Sequence, residues 1–528
     1  MLIISKNKKF FLWLIIWIFL FNSNSKSIEP SGSDNSSLSG YVMDKQTSET
    51  LVGASVYISG TKLGTYTNKS GYFSLRNITP GEQTVIITFL GYTQTEEKIK
   101  FKPKEGIRKN FKLEQGSVKL GEVFVNAEKE NDKREITISK IDIPVSQLKE
   151  IRIGGEADVF RSLQYLPGIL TSSQLSSGLF VRGGSPDQNL VLVDGTVVYN
   201  PTHLFGFIST FNSDAIKDVE LIKGGFPAEY GNRLSAILNI TQKDGNHEKI
   251  KGQATLGLIS SKAGLEGPLG NGSWFIGGRS TYFDLIKPLI PTDPQNPLPG
   301  FYFYDANAKI TQDISDIDKI SISGFLSTDA LNLSSGGVAL NLDIGNRLAS
   351  AKWTHIFGSN LFSSLIISGS HYLNNFNGDE TGYQFLINNY ITDYTLKGSL
   401  EWFTSERITH KFGFEITNYQ FGYLENFTGN TDSTQPGFNG GSTNLKIQDW
   451  NYSAYAQVNY SPWDLYSIQM GFRANYWELS KYKSIEPRIA LRYQFQENVA
   501  FKAAFGIYHQ NLRLATEPDF SFFDTWLI

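Results

Sequence analysis

From residue 246 onward the chain is written in twos. In YSIQMGFRANYW, Tyr466, Ile468, Met470, Phe472, Ala474 and Tyr476 share one parity, and Ser467, Gln469, Gly471, Arg473, Asn475 and Trp477 share the other. NYSAYAQVNYS sets Tyr452, Ala454, Ala456, Val458 and Tyr460 against Ser453, Tyr455, Gln457 and Asn459. RIALRYQF sets Ile489, Leu491, Tyr493 and Phe495 against Arg488, Ala490, Arg492 and Gln494. Successive side chains of a strand point to opposite faces, so each stretch has one apolar and one polar face. Strands of about ten residues with tyrosines near their ends fit a transmembrane β-barrel, with the apolar face on lipid and the polar face on a lumen. A soluble β-sandwich is the competing reading, but its strands are usually shorter. Short turns (FGSN, TSERI, SPWD, QEN) alternate with long loops such as KPLIPTDPQNPLPGFY and ENFTGNTDSTQPGFNGGSTNLKI. One short-turn rim and one long-loop rim is the outer-membrane pattern. Roughly 13 strands can be counted after Gly245, an odd number where bacterial barrels close with an even one. The last residues, PDFSFFDTWLI, supply no obvious closing strand.

Composition agrees with a β-rich chain: aromatic residues make up 13%, charged residues only 19%, and there are 49 glycines. The 48 Lys+Arg against 51 Asp+Glu, a net charge of -3, give no case for a nucleic-acid partner. With no cysteine, disulfides, thiolate metal sites and cysteine nucleophiles are excluded. At the start, Lys6, Lys8 and Lys9 precede FFLWLIIWIFLF and then NSNSKS. This reads as a signal peptide over 1–27, with an uncleaved anchor as the alternative. No other long apolar run exists, so any membrane crossing must be by a barrel.

Between these ends lie three further segments. Residues 38–115 carry short alternating strands split by turn signals at Thr61-Lys62, Asn68-Lys69-Ser70-Gly71 and Pro80-Gly81, the spacing of a small β-sandwich. Its Asp44, Glu49 and Glu82 are scattered and read as solvated. A connector, 119–136, holds the apolar patch Val123-Phe124-Val125 ahead of a mixed-charge run. It reads as a linker strand or as a strand displayed for edge addition by a partner. Residues 141–245 are α+β. ADVFRSLQYLPGI reads as a helix with Val159, Leu163 and Leu166 on one face and Pro167-Gly168 as its stop. LFVRGG, NLVLVDG, IKDVELIKGG and AILNITQKDG read as strands closed by glycine.

Several of these phrases occur together in known families. GYVMD, GASVYISGT, GTYTNKSGYFSL and GYT resemble the carboxypeptidase regulatory-like domain, which implies a binding or spacer module and no peptidase. ADVFRSLQYLPGI, GLFVRGGSPDQNLVLVDGTVVYNP and DAIKDVELIKGGFPAEYGNRLSAILNI resemble the plug of TonB-dependent outer-membrane receptors, and EPRIALRYQF matches their barrels. The whole resembles a receptor of Bacteroidetes type. The fold it implies is mainly β: an N-terminal sandwich, an α+β plug and an antiparallel barrel over 250–528. With roughly 13 of about 22 strands, that barrel reads as incomplete, from a fragment or a truncated gene.

The resemblance implies a cell outer-membrane site, periplasmic N-terminal domains and energised uptake of a siderophore, glycan or similar ligand. A surface signalling receptor or a passive channel is the alternative, and a fragment alone can be non-functional. Leu120, Gly121, Glu122, Val123, Phe124, Val125, Asn126 and Ala127 resemble the TonB box, which the partner TonB would grip. The implied plug-motif residues are Arg182, Gly183, Gly184, Asp194, Gly195, Gly224, Gly225, Tyr230, Gly231 and Arg233. By the family's habit, Arg182 and Arg233 would latch onto barrel glutamates, Glu401 and Glu415. Further partners implied are membrane lipid and a possible surface lipoprotein. An enzyme is not expected: His203, His247, His355, His371, His410 and His509 are dispersed, no HExxH, GxSxG or phosphate loop occurs, and no metal or cofactor is expected.

Overall fold

The structure, a computed structural model, describes residues 35–527 except 90, 117–135, 145–151, 154–155, 171–177, 204–205, 207, 292–297, 299, 336–337, 381–382, 429–440, 464, 497–498 and 518–519. The expected signal peptide and the expected TonB box, Leu120 to Ala127, therefore lie outside the described residues.

The N-terminal domain is two sheets around one core. Ser36–Asp44 pairs with Tyr72–Ile78, Gly106–Arg108 and Phe111–Leu113; opposite lies Gly64–Tyr66, Ser55–Ile58, Gly81–Thr88 and Thr95–Phe101 in that order. Leu38, Val42, Phe73 and Leu75 meet Val56, Ile58, Val85 and Ile87 between them. Two carboxylates expected in solvent are not there. Asp44 is buried and accepts the N–H groups of Gln46 and Thr47 and the Tyr92 hydroxyl. Glu49 reaches out of the domain to the N–H groups of Asp244 and Gly245, at 2.7 and 3.2 Å.

The middle domain carries a five-stranded sheet in the order Thr196–Val197, Asn189–Val193, Ala236–Gln242, Ile216–Lys223, Lys140–Pro144. Its central strands are apolar on both faces because a helix and the wall described below cover them. The helix is Val159–Gln164; Asp158 caps it by accepting Arg161 N–H, and its other carboxylate oxygen takes the N–H and hydroxyl of Ser209. LFVRGG is a strand for only two residues, Phe180–Val181, because the backbone turns left-handed at Arg182 and Gly183 (φ 49° and 85°). At Asp194-Gly195 both residues have positive φ, 46° and 85°, giving the two-residue hairpin turn that joins Asn189–Val193 to Thr196–Val197.

Residues 251–506 form one antiparallel sheet of thirteen strands in chain order, from Lys251–Leu256 to Val499–Gly506. A last hairpin, Arg513–Glu517 with Phe520–Leu527, pairs only with itself among the described residues. The strands are longer than the sequence period suggests: Tyr383–Ser405 runs 23 residues, about 75 Å, against an apolar core of about 30 Å. The hydrogen-bonded ladder continues past the ten-residue periods read from the sequence, and near the far rim Leu342, Phe376 and Ile387 form an apolar cluster of their own. Among the described residues no helix is long and apolar enough to cross a membrane.

The sheet curls around the middle domain with its polarity inverted relative to a water-soluble protein. On Tyr466–Trp477, Met470 and Phe472 are 44% and 52% exposed, while Gln469 and Arg473 are 8% and 0% exposed. On Lys483–Gln496, Ile485 is 72% exposed and Glu486, next to it, 0%. On these strands polar side chains face the plug and apolar ones the convex side; elsewhere Phe325 and Leu348 of the wall also pack into the core of the middle domain.

Candidate functional site

The middle domain meets the wall through many polar contacts, among them Tyr199 to Asp393 (2.6 Å) and Asn346 to the Asn200 carbonyl (2.6 Å), and three groups of them carry most of the charge. The first is the segment Phe226 to Arg233. Arg488 donates to the carbonyls of Phe226, Pro227 and Tyr230, at 3.3, 2.6 and 2.7 Å, and is held from behind by Glu486 at 2.6 Å. Arg473 donates to the Glu229 carbonyl (3.4 Å) and pairs with Glu415 (3.4 Å), while Gln457 accepts the Ala228 N–H (3.1 Å). The approach is close: a Cβ on Gly231 would lie 2.3 Å from Arg473 Nε. The second is a chain of alternating charge. Lys309 of the wall bridges Asp194 (3.2 Å) and Asp244 (3.0 Å), and Lys217 adds a second cation to Asp244 at 2.7 Å. These two lysines, outweighing burial, hold Asp244 well below the usual carboxylate range. The third is His203, whose ring nitrogens lie 2.6 Å from Asp305 and 2.7 Å from Asp329. Arg279 pairs with Asp305, and Lys262 and Ser260 hold Glu156.

A cavity of about 220 Å³ opens between domain and wall. Tyr199, Asn200, Arg233, Tyr372, Asn374 and Trp526 line it. It sits toward the rim where Ser335 pairs with Val338, away from the rim that carries the turn between Ile356 and Leu361. Aromatic faces beside amides and one buried guanidinium suit a polar organic ligand with apolar surface.

Two family models match this chain: the CarboxypepD_reg-like domain over residues 38–125 and the TonB-dependent Receptor Plug Domain over 132–236. The middle domain is a TonB-dependent receptor plug. The first match reaches into the connector that holds the TonB-box candidate. A stretch of 196 residues is 27% identical to the TonB-dependent transporter Oar of Myxococcus xanthus, covering 32% of this chain and 18% of Oar. The fold is similar to the outer membrane transporter YddB from Escherichia coli (14% identity, TM-score 0.53, 70% of this chain and 61% of that one). It is also similar to the ferric enterobactin receptor PfeA of Pseudomonas aeruginosa in a doubly substituted form (16%, TM-score 0.53, 74% and 63%). The chain thus spans about three fifths of the length of these solved structures. The plug family is of receptor type.

The plug-motif residues gather on the plug's turns and on its contacts with the wall. Gly183 and Gly184 follow Arg182 in one turn; Gly224 and Gly225 end Ile216–Lys223, with Gly225 against Ala504 of the wall. Tyr230 is buried and donates to Glu220 (3.2 Å). The expected latch is corrected in polarity. Arg182 is solvent-facing and donates to Ser139, and Arg233 donates to the carbonyls of Asn189 and Asn232 and faces Trp526. Glu415 pairs with Lys397 and Arg473, and Glu401 with Lys411, all on the wall. The arginines that hold the plug are the wall's own, Arg473 and Arg488, and they bind plug carbonyls. A carbonyl ligand needs no counter-charge on the plug, so Glu415 and Glu486 are left to fix Arg473 and Arg488, while Glu401 holds Lys411. Arg473, Arg488, His203, Lys309 and Arg279 were not singled out by the sequence, although parity had already turned Arg473 and Arg488 inward.

Proposed function

We propose that this chain is part of a TonB-dependent transporter of the Gram-negative outer membrane. It takes up a ligand that binds in the cavity between plug and wall, and it does no catalysis. The reading is carried by one observation: a thirteen-strand sheet with apolar side chains outward and charged ones inward, curled around a plug that polar contacts hold. Such a wall has a low-energy home only in lipid, and a plug seated against its polar face argues against a passive channel. The outer membrane holds no ATP, so the energy to move the plug comes through TonB, gripping residues 120–127 by strand addition. The N-terminal domain and the short-turn rim face the periplasm, and the cavity faces outward. Aromatic and amide side chains there suit a siderophore or a glycan, and a surface lipoprotein lid is compatible with that rim.

The test is deletion of residues 121–126 from the whole protein. Growth on a limiting ferric siderophore or oligosaccharide that the intact protein supports is expected to stop, while binding of that nutrient to cells persists. Undiminished growth would refute the role of the segment.

A further inference from the structure

The N-terminal domain is not tethered loosely below the barrel. It is seated on the short-turn rim by two kinds of contact. An apolar collar forms where Tyr72, 0% exposed, stacks on Phe362 of the wall (centroids 5.2 Å apart, planes at 19°) beside Phe403, with Tyr41 and Ile356 behind. Around it, Asn68 donates to Glu401 (2.9 Å), Ser74 to the Ser359 carbonyl (2.5 Å) and Lys352 of the wall to Ser70 (3.0 Å). The turn from Asn68 to Gly71 projects inward from this seat. Asn68 holds the turn by accepting the N–H groups of Ser70 and Tyr72 (2.9 and 3.1 Å). Lys69 at its tip reaches Glu229 (2.8 Å) and the Tyr230 hydroxyl (2.5 Å), with Glu220 at 3.9 Å.

We propose that this domain is a detachable cap that closes the periplasmic mouth of the lumen, with Lys69 as the key that senses the plug. The proposal rests on the transporter reading above. The domain owns a complete core, and none of the cap's collar residues belongs to it, so it can leave without unfolding. Lys69 binds the same residues, Glu229 and Tyr230, whose carbonyls the wall arginines Arg473 and Arg488 hold. Displacing that plug segment therefore removes the key's partners, and a plug at rest keeps the cap in place.

The test exploits a chain with no cysteine. In the whole protein in nanodiscs, Lys352→Cys reports on the covered mouth through its rate of reaction with a charged maleimide. Asn77→Cys with Glu406→Cys, adjoining across the seat, reports on docking through a bifunctional maleimide. Lys69→Glu combined with Tyr72→Ala is expected to raise the labelling rate by about tenfold or more and to abolish the cross-link. Lys69→Arg is expected to keep both at the original level. Equal labelling with and without the double substitution would overturn the cap. So would loss of the cross-link with unchanged labelling, because the domain would then dock without sealing. Neither readout uses TonB or a ligand, so a failed transport test and a failed cap test are told apart.

Discussion

Raising the pH should loosen the plug at one identifiable place. His203, 0% exposed on its short strand Thr202–His203, presents Nε2 to Asp305 and Nδ1 to Asp329 and stacks on Phe303 at 4.3 Å. Only the protonated ring donates from both nitrogens. Burial opposes that charge, but the carboxylates of Asp305 and Asp329 outweigh it and push the imidazole up to about 9. A pKa raised on folding stabilises the folded state fully below the free value of about 6.5, and the gain is lost as pH rises through the folded one. The separation corresponds to roughly 3 kcal/mol between those limits. Arg279 shares Asp305 and keeps its charge throughout, so the site does not collapse when the histidine deprotonates. Amide hydrogen exchange at residues 202, 203, 208 and 209, corrected for intrinsic rates, should show the opening free energy falling by roughly 3 kcal/mol from about pH 6.5 to above 9. His203→Gln should lower protection at neutral pH and flatten the profile. Parallel profiles for the two proteins would refute the assignment of the charge to His203.

Two further expectations concern the wall. Phe472→Arg places a cation on the convex face at mid-strand and should cost about 2–4 kcal/mol of stability in bilayers; urea unfolding in liposomes measures it, and a change near zero would mean that this face meets water. In a double-mutant cycle, Arg473 and Glu415 should couple by about 0.5–3 kcal/mol while Arg182 and Glu415 show none, read out as thermal release of plug protection from protease.

Much of this architecture was legible because its causes are local. A strand in lipid must sort its side chains by parity, so Ser467 and Phe472 could be assigned to opposite faces from spacing alone, and a thirteen-strand sheet emerges where roughly that number was counted. Asp194-Gly195 was legible as a turn because only residues tolerant of positive φ suit it. What stayed hidden has a common cause. Arg488 could be turned inward by parity, but its ligands are the carbonyls of Phe226, Pro227 and Tyr230, and a carbonyl leaves no mark in a sequence. The expectation of plug arginines on wall glutamates failed for the same reason: it looked for charge opposite charge. Lys69 read as an ordinary turn residue, and His203 as one of six scattered histidines, because their partners lie far along the chain; those of His203 are 102 and 126 residues away. Parity fixes which side of the wall a residue faces; only the curling of the sheet around the plug decides what it meets there. The polar contacts between plug, wall and N-terminal domain are therefore where substitutions that look neutral in sequence should have their largest effects.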